Sequence, residues 1–212
     1  ETSFRRALAT LERLVPDSLE VAGALSNLGN ATAARGDVEA AEAHYLRALE
    51  IASRLDPAGA AEATVRTSLG DLAWERGDLE TAARELRRAL AIRERLEPGS
   101  AATAKVLSEL GSVLADVGAL EDGRSSLERA VSILERVAPG GLTLAGAVSN
   151  LGATTLAAGD AGAAERLQRR ALALQEVLAP ASIQHAEILY RLARALREDA
   201  RTTLRALGEV PA

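Results

Sequence analysis

We predict an all-α solenoid built from antiparallel helix pairs, and two observations lead to this fold class. First, Ala and Leu fill most of the apolar positions, whereas aromatic residues make up 2% of the 212 residues, so the composition favours helices over strands. Second, three short sequence markers recur at a constant spacing of 41 residues. A fixed period of this length indicates stacked repeats in which each repeat buries its apolar face against its neighbours.

The three markers are a proline, a glycine-containing turn and a Leu-Gly pair. The prolines are Pro16, Pro57, Pro98, Pro139 and Pro180; the turns are Gly36-Asp37, Gly77-Asp78, Gly118-Ala119 and Gly159-Asp160; the pairs are Leu28-Gly29, Leu69-Gly70, Leu110-Gly111 and Leu151-Gly152. Because the markers differ in chemistry but share one period, they define the repeat unit independently of one another.

Each repeat is predicted to contain two helices, here called helix A and helix B. Helix A begins after the proline, behind an N-cap candidate such as Ser18, Ser100 or Ser182. It ends at the glycine turn, where Gly takes the left-handed C′ position and Asp caps helix B. Helix B continues to the next proline, which cannot extend a helix. In the first full repeat this predicts helix A over about residues 19–35 and helix B over about residues 38–55. Such a short turn makes the two helices antiparallel.

A glycine in the middle of each helix A has a predicted packing role. Gly29 lies on the apolar stripe of its helix, where glycine costs about 1 kcal/mol relative to alanine. The same glycine recurs as Gly70, Gly111 and Gly152. We expect the missing side chain to let helix B cross closely over helix A.

Composition and motifs exclude several function classes. The chain has no cysteine, so it has no disulfides and no thiolate metal site, and its two histidines, His44 and His185, are far apart. The net charge of −5 with mixed signs does not make a basic nucleic-acid footprint. No membrane-length apolar run and no signal peptide are found in the sequence. It also contains no phosphate-binding loop and no catalytic triad, so we expect no enzyme activity, cofactor or metal. Methionine is absent, which suggests a fragment or a processed product.

The pattern resembles the tetratricopeptide repeat. That family has a small residue in mid helix A, a small residue early in helix B, a bulky residue four positions later and Ala three after that. The matching sets are Gly29, Ala41, Tyr45 and Ala48; Gly70, Ala82, Leu86 and Ala89; Gly111, Gly123, Leu127 and Ala130; Gly152, Ala164, Gln168 and Ala171. Gln168 departs from the bulky apolar type, and we expect Leu167 to substitute for it after a small rotation. The third turn has Ala119 in place of Asp.

The length of the repeat resembles the kinesin light chain variety of the family. The family's ordinary repeat has 34 residues, and the surplus is close to two helical turns. The segments 25–28 and 148–151 also echo the Leu-Asn-Asn-Leu run of that variety. Arg88–Leu96 is similar to the repeat arms of bacterial signalling proteins that carry a caspase-like CHAT peptidase or a STAND-type ATPase. The resemblance implies a right-handed superhelical solenoid.

We expect one repeat domain over residues 1–212. Its predicted parts are a partial repeat consisting of a second helix (1–16), four full repeats (17–57, 58–98, 99–139 and 140–180) and a final capping helix pair with a tail (181–212). The turn of the final pair is expected at Glu198-Asp199-Ala200. A more polar face typical of a terminal repeat is expected from the arginines of this pair, Arg191, Arg194, Arg197, Arg201 and Arg205.

The resemblance places binding on the concave face, which the first helices line. The predicted binding residues on this face are Asn27, Asn30, Asp71, Trp74, Ser108, Glu109, Ser112, Asn150 and Tyr190. Asn27 and Asn150 are the best candidates, because an amide can donate to and accept from a peptide backbone at once. Trp is enriched among binding hot spots. The alternative is that Asn and Ser are solvated or bond a neighbouring helix, that Trp74 packs between repeats and that the acidic residues form a solvated face.

The predicted function is a protein–protein interaction scaffold that binds a peptide or protein segment. The alternative is a regulatory arm of a larger bacterial enzyme, a CHAT peptidase or a STAND ATPase, which the repeats would contact. Self-association through the end repeats is a third, structural option. We expect a cytoplasmic protein with a protein or peptide partner and no nucleic-acid or membrane partner.

Overall fold

A computed structural model of the chain describes residues 2–180 and 182–206. Within these residues every regular element is an α-helix, as the composition predicts. The ten helices are α1 (Thr2–Leu14), α2 (Leu19–Ala33), α3 (Val38–Leu55), α4 (Ala60–Glu75), α5 (Leu79–Leu96), α6 (Ala101–Asp116), α7 (Leu120–Val137), α8 (Leu142–Ala157), α9 (Ala161–Leu178) and α10 (Ile183–Ala206). No helix in the described part of the chain has the length and apolarity needed to cross a membrane.

The helix ends confirm the predicted turn chemistry. Gly36 has a φ of +81°, in the left-handed region, and the glycines of the other three turns are similar. The Asp37 carboxylate then accepts a hydrogen bond from the backbone N–H of Ala40, 3.2 Å away, which caps α3. Ser18 caps α2 in the same way. These local bonds fix the starts of α2 and α3, whereas α4, α7 and α8 begin without a side-chain cap.

The chain forms two compact units, residues 1–98 and residues 99–212. In unit 1, α2 pairs with α3 and α4 pairs with α5; α4 also packs against α2 and α3, and α1 packs on α2. The core of unit 1 contains the fully buried Val21, Leu25 and Ala48. In unit 2, α6 pairs with α7 and α8 with α9, while α10 packs on α9 and α8. The single domain over 1–212 stays a prediction.

The mid-helix glycines have the packing role that the sequence predicts. At each of them a Cβ atom would collide with the bulky residue of helix B. The separations would be 2.5 Å from Gly29 to Tyr45 Cε1, 2.7 Å from Gly70 to Leu86 Cγ, 2.7 Å from Gly111 to Leu127 Cγ and 2.6 Å from Gly152 to Gln168 Nε2. Helix B therefore lies against the bare backbone of helix A in every full repeat.

Gln168 itself fills the bulky position of the fourth full repeat, so the expected replacement by Leu167 is wrong. Gln168 is 1% exposed. Its Nε2 donates to the Ser149 carbonyl oxygen at 2.8 Å, and its Oε1 accepts from the Ser149 hydroxyl at 2.9 Å. Because both ends of the amide are bonded, its burial carries little penalty and no helix rotation is needed.

The predicted final helix pair is also wrong over the described residues, because α10 is one continuous helix through residues 198–200. This segment has no glycine for a left-handed C′ position, and Ala, Arg and Leu favour helix. The Thr202 hydroxyl donates to the Glu198 carbonyl oxygen, and Arg201 pairs with Glu198 one turn away. Residues 207–212 lie outside the described residues.

Candidate functional site

Unit 1 contains four of the predicted binding residues, on its two A helices. Asn27 and Asn30 lie on α2 and are exposed; Asp71 and Trp74 lie on α4 and are half-buried. Since α2 and α4 pack side by side, the structure brings these side chains onto one face. We call this set, Asn27, Asn30, Asp71 and Trp74, the A-face of unit 1.

The hydroxyl of Tyr45 is a fifth member of the A-face, one that the sequence did not predict. Tyr45 belongs to helix B and is 3% exposed, where its ring fills the space over Gly29. Its hydroxyl nevertheless reaches the A-face and donates to Asn30 Oδ1 at 2.7 Å. The sequence contains a signal for this contact, because Tyr45 is the only residue at the bulky helix B position of the four repeats that carries a hydroxyl.

The electrostatics of the A-face keep Tyr45 protonated. Burial first, and then the negative charges of Asp71 and Glu75, raise the pKa of Tyr45 to about 12, while a hydrogen bond with Ser68 acts in the opposite direction. The Tyr45 hydroxyl stays protonated and donates to Asn30 Oδ1, so the Asn30 NH₂ group is left as a donor for a ligand. The A-face thus combines amide groups with the Asp71 carboxylate.

Unit 2 contains the other predicted residues, and many of their polar groups are already bonded. The Ser112 hydroxyl donates to the Ser108 carbonyl oxygen at 3.0 Å within α6. Glu109 forms an ion pair with Lys105 one turn earlier. Tyr190 on α10 is 67% exposed. Ser112 and Glu109 therefore form these bonds within their own helix, whereas Tyr190 lies on the surface.

Asn150 differs from Asn27, although the two residues hold the same position in their repeats. Arg191 of α10 donates to Asn150 Oδ1 at 2.8 Å and to the Ser149 hydroxyl at 3.0 Å. Ser149 continues the network to the buried Gln168. Arg191 therefore uses the acceptor that a peptide ligand would need, and Asn150 joins α8 to α10.

Among the described residues no group of three His, Cys, Asp or Glu side chains is placed to hold a metal ion.

Comparisons with known proteins agree with this architecture. Residues 20–95 and residues 144–182 each match a family model described as tetratricopeptide repeat, and together the two matches cover more than half of the chain. No curated protein sequence matches the chain.

Several solved structures are similar in fold. BtubC (BKLC) from P. vanneervenii is 19% identical over 100% of this chain and 91% of its own, with a TM-score of 0.80. A putative kinesin light chain from Podosopora anserina with nearly identical TPR-like repeats is 17% identical over 84% of this chain and 86% of its own, with a TM-score of 0.69. The apo form of RapI is 14% identical over 86% of this chain and 65% of its own, with a TM-score of 0.72.

Proposed function

The chain belongs to the tetratricopeptide repeat family, and we propose that it holds an extended segment of a partner protein on the A-face of unit 1. Repeats of this kind are protein-interaction scaffolds, since stacked helix pairs present long continuous surfaces. The observation that carries the proposal is the orientation of the amides beside Tyr45. The NH₂ group that Asn30 keeps as a donor and the exposed amide of Asn27 suit the backbone of a bound peptide.

The charge of the A-face favours a basic partner segment. Asp71 and Glu75 act on Tyr45 as negative charges, so both carboxylates lie near the amides of α2. Trp74 on the same helix offers an aromatic surface, and an arginine or lysine of the partner can stack on it while pairing with a carboxylate. Unit 2 contributes less to this proposal, because Arg191 already occupies the acceptor of Asn150.

A displayed library of random 12-residue peptides, selected on the chain, tests the proposal. We expect one enriched class to carry Arg or Lys. The double variant Asn27→Arg with Asp71→Asn should weaken these peptides at least about tenfold in fluorescence anisotropy, since it adds a cation and removes an anion. The control variant Ser125→Arg adds the same residue at an exposed position of α7. Equal affinity for the parent and the double variant would refute the A-face as the binding surface.

A further inference from the structure

The second full repeat contains charged residues where the other repeats have apolar or small ones. Glu62 and Arg66, one turn apart on α4, lie on the face of helix A that packs inward. The equivalent residues one or more periods away are Val21, Thr103 and Leu144 for Glu62, and Leu25, Leu107 and Val148 for Arg66; all six are at most 3% exposed. The repeat fold therefore tolerates an uncharged pair at this place, and the charges need a separate explanation.

The two residues form a buried cluster with Glu85 of α5. Arg66 Nε donates to Glu62 Oε1 at 2.8 Å, and Arg66 Nη1 donates to Glu85 Oε2 at 2.7 Å. The second Glu62 oxygen accepts from the backbone N–H of Ala58. Glu62 and Glu85 are each 7% exposed. Replacing such a buried cluster with packed apolar residues is commonly neutral or stabilising, so fold stability alone does not account for it.

Two members of the cluster, Arg66 and Glu85, line a groove that lies within unit 1, between α3 and α5 and above α4. The groove has a volume of about 450 Å³. Its apolar part consists of leucines from α3 and α4, of which Leu46 is 53% exposed. Its polar part consists of arginines and acids from α3, α4, α5 and the turn between α4 and α5. The leucines are Leu46, Leu49, Leu69 and Leu72, and the arginines are Arg66, Arg76, Arg84 and Arg88.

Two of the arginines, Arg84 and Arg88, are largely exposed, and Arg84 also donates to the Thr81 hydroxyl at 3.2 Å. Arg76 pairs with Glu42 across the groove. Arg84 and Arg88 share one oxygen of Glu85, at 3.2 Å and 3.3 Å, which are longer separations than the 2.7 Å of the Arg66 bond. Their side chains are 48% and 57% exposed, whereas Glu85 is buried between them. Two guanidinium groups one helical turn apart therefore face solvent beside an apolar surface.

We propose that this groove is a second protein-binding site, which takes a partner segment with an aliphatic side chain next to an Asp or Glu. The aliphatic side chain covers Leu46 and the leucines beneath it. The carboxylate pairs with Arg84 and Arg88, a geometry in which guanidinium groups form short, directional bonds. Buried Glu85 and Arg66 hold the two rim arginines in place from below. The site uses other helices and the opposite ligand charge from the A-face, and it stands independently of the proposed function.

The same displayed library of random 12-residue peptides tests the groove, because the two sites select opposite charges. We expect a second enriched class that carries a Leu, Ile or Val beside an Asp or Glu. The double variant Arg84→Glu with Arg88→Glu should weaken that class at least about tenfold in fluorescence anisotropy and leave the basic class unchanged. Leu46→Ser should weaken it too, and because Leu46 is more than half exposed, the fold is retained.

A matched control separates this site from a general charge effect. Arg13→Glu with Arg87→Glu makes the same change in net charge at two exposed arginines outside the groove, and it should leave the acidic class bound. The proposal is overturned if no acidic class is enriched on the parent chain. It is equally overturned if that class binds the Arg84→Glu, Arg88→Glu variant as tightly as the parent. Far-UV circular dichroism of each variant confirms that the helices are intact.

Discussion

Removing the cation of the buried cluster should destabilise unit 1 more than removing the whole cluster. In Arg66→Leu, Glu62 keeps its burial but loses its guanidinium partner, while Glu85 keeps only its longer contacts with Arg84 and Arg88. An uncompensated buried charge costs about 3–5 kcal/mol. Here the side chains are 9–15% exposed, and Arg66 and Glu85 line a groove. Water therefore relieves part of the cost, and we expect a loss of about 2–4 kcal/mol in the free energy of unfolding near neutral pH.

The triple variant Glu62→Val, Arg66→Leu and Glu85→Leu supplies the matched control. It installs residue types that the other repeats use at these positions, Val21, Leu25 and Leu167. With no buried charge left, its free energy of unfolding should lie within about 1 kcal/mol of the parent, or above it. Urea denaturation followed by far-UV circular dichroism measures all three proteins, and an unchanged slope with urea shows that the same surface unfolds.

The pH dependence gives the prediction a second readout. Burial raises the pKa of Glu62, but hydrogen bonds from Ala58 and Arg66 and the charge of Arg66 lower it more, so its pKa in the folded chain is below the usual value. A lowered folded pKa stabilises the fold above the unfolded pKa, and the contribution is lost as the pH falls through the folded pKa. The difference in the free energy of unfolding between the parent and Arg66→Leu should therefore become smaller below about pH 4.

Two results would refute this reasoning. The first is a loss below about 1 kcal/mol in Arg66→Leu near neutral pH, which would mean that water already solvates the two carboxylates. The second is a triple variant that is as unstable as the single variant, which would mean that the packing of the Arg66 stem, and not its charge, stabilises the repeat.

Two other changes test the packing and the A-face. Gly111→Ala should cost about 1–3 kcal/mol in urea denaturation, because its Cβ would lie 2.8 Å from the backbone oxygen of Gly123; Gly23→Ala, which meets nothing within 4 Å, should instead stabilise by about 0.5–1 kcal/mol. Equal effects at the two sites would contradict the close helix crossing. Absorbance titration should show a tyrosine step at a pKa of about 12 that is missing in Tyr45→Phe. This step should shift to lower pH in Asp71→Asn, and an unmoved midpoint would show that the Asp71 charge does not act on Tyr45.

Much of the fold could be predicted because its signals are local. Gly36 requires a left-handed backbone, and Asp37 bonds an N–H three residues away, so both act within one turn of chain. Where the glycine of the turn was missing, the prediction was wrong. Residues 198–200 carry an Asp but no glycine, and α10 continues through them because nothing there favours ending the helix.

For the candidate site, the sequence predicted which repeat positions the residues occupy, but not which of their polar groups are already bonded. Asn27 and Asn150 occupy equivalent positions three periods apart, and the sequence treats them alike. The structure separates them, because Arg191 lies 41 residues beyond Asn150 and bonds its oxygen, while Asn27 remains exposed. A hydrogen bond between helices of different repeats depends on side-chain reach, which the period does not encode.

The sequence by itself determined the repeat. Its 41-residue period, glycine turns, Asp and Ser caps and mid-helix glycines specify helix pairs through contacts that lie within one hairpin. Only the tertiary structure decided which polar side chains are available. It directs the hydroxyl of Tyr45 past Gly29 to Asn30 and buries Glu62 with Arg66 and Glu85. The physical reason is that the burial and hydrogen bonding of a polar group depend on its neighbours in space. These neighbours come from other helices and differ from one repeat to the next.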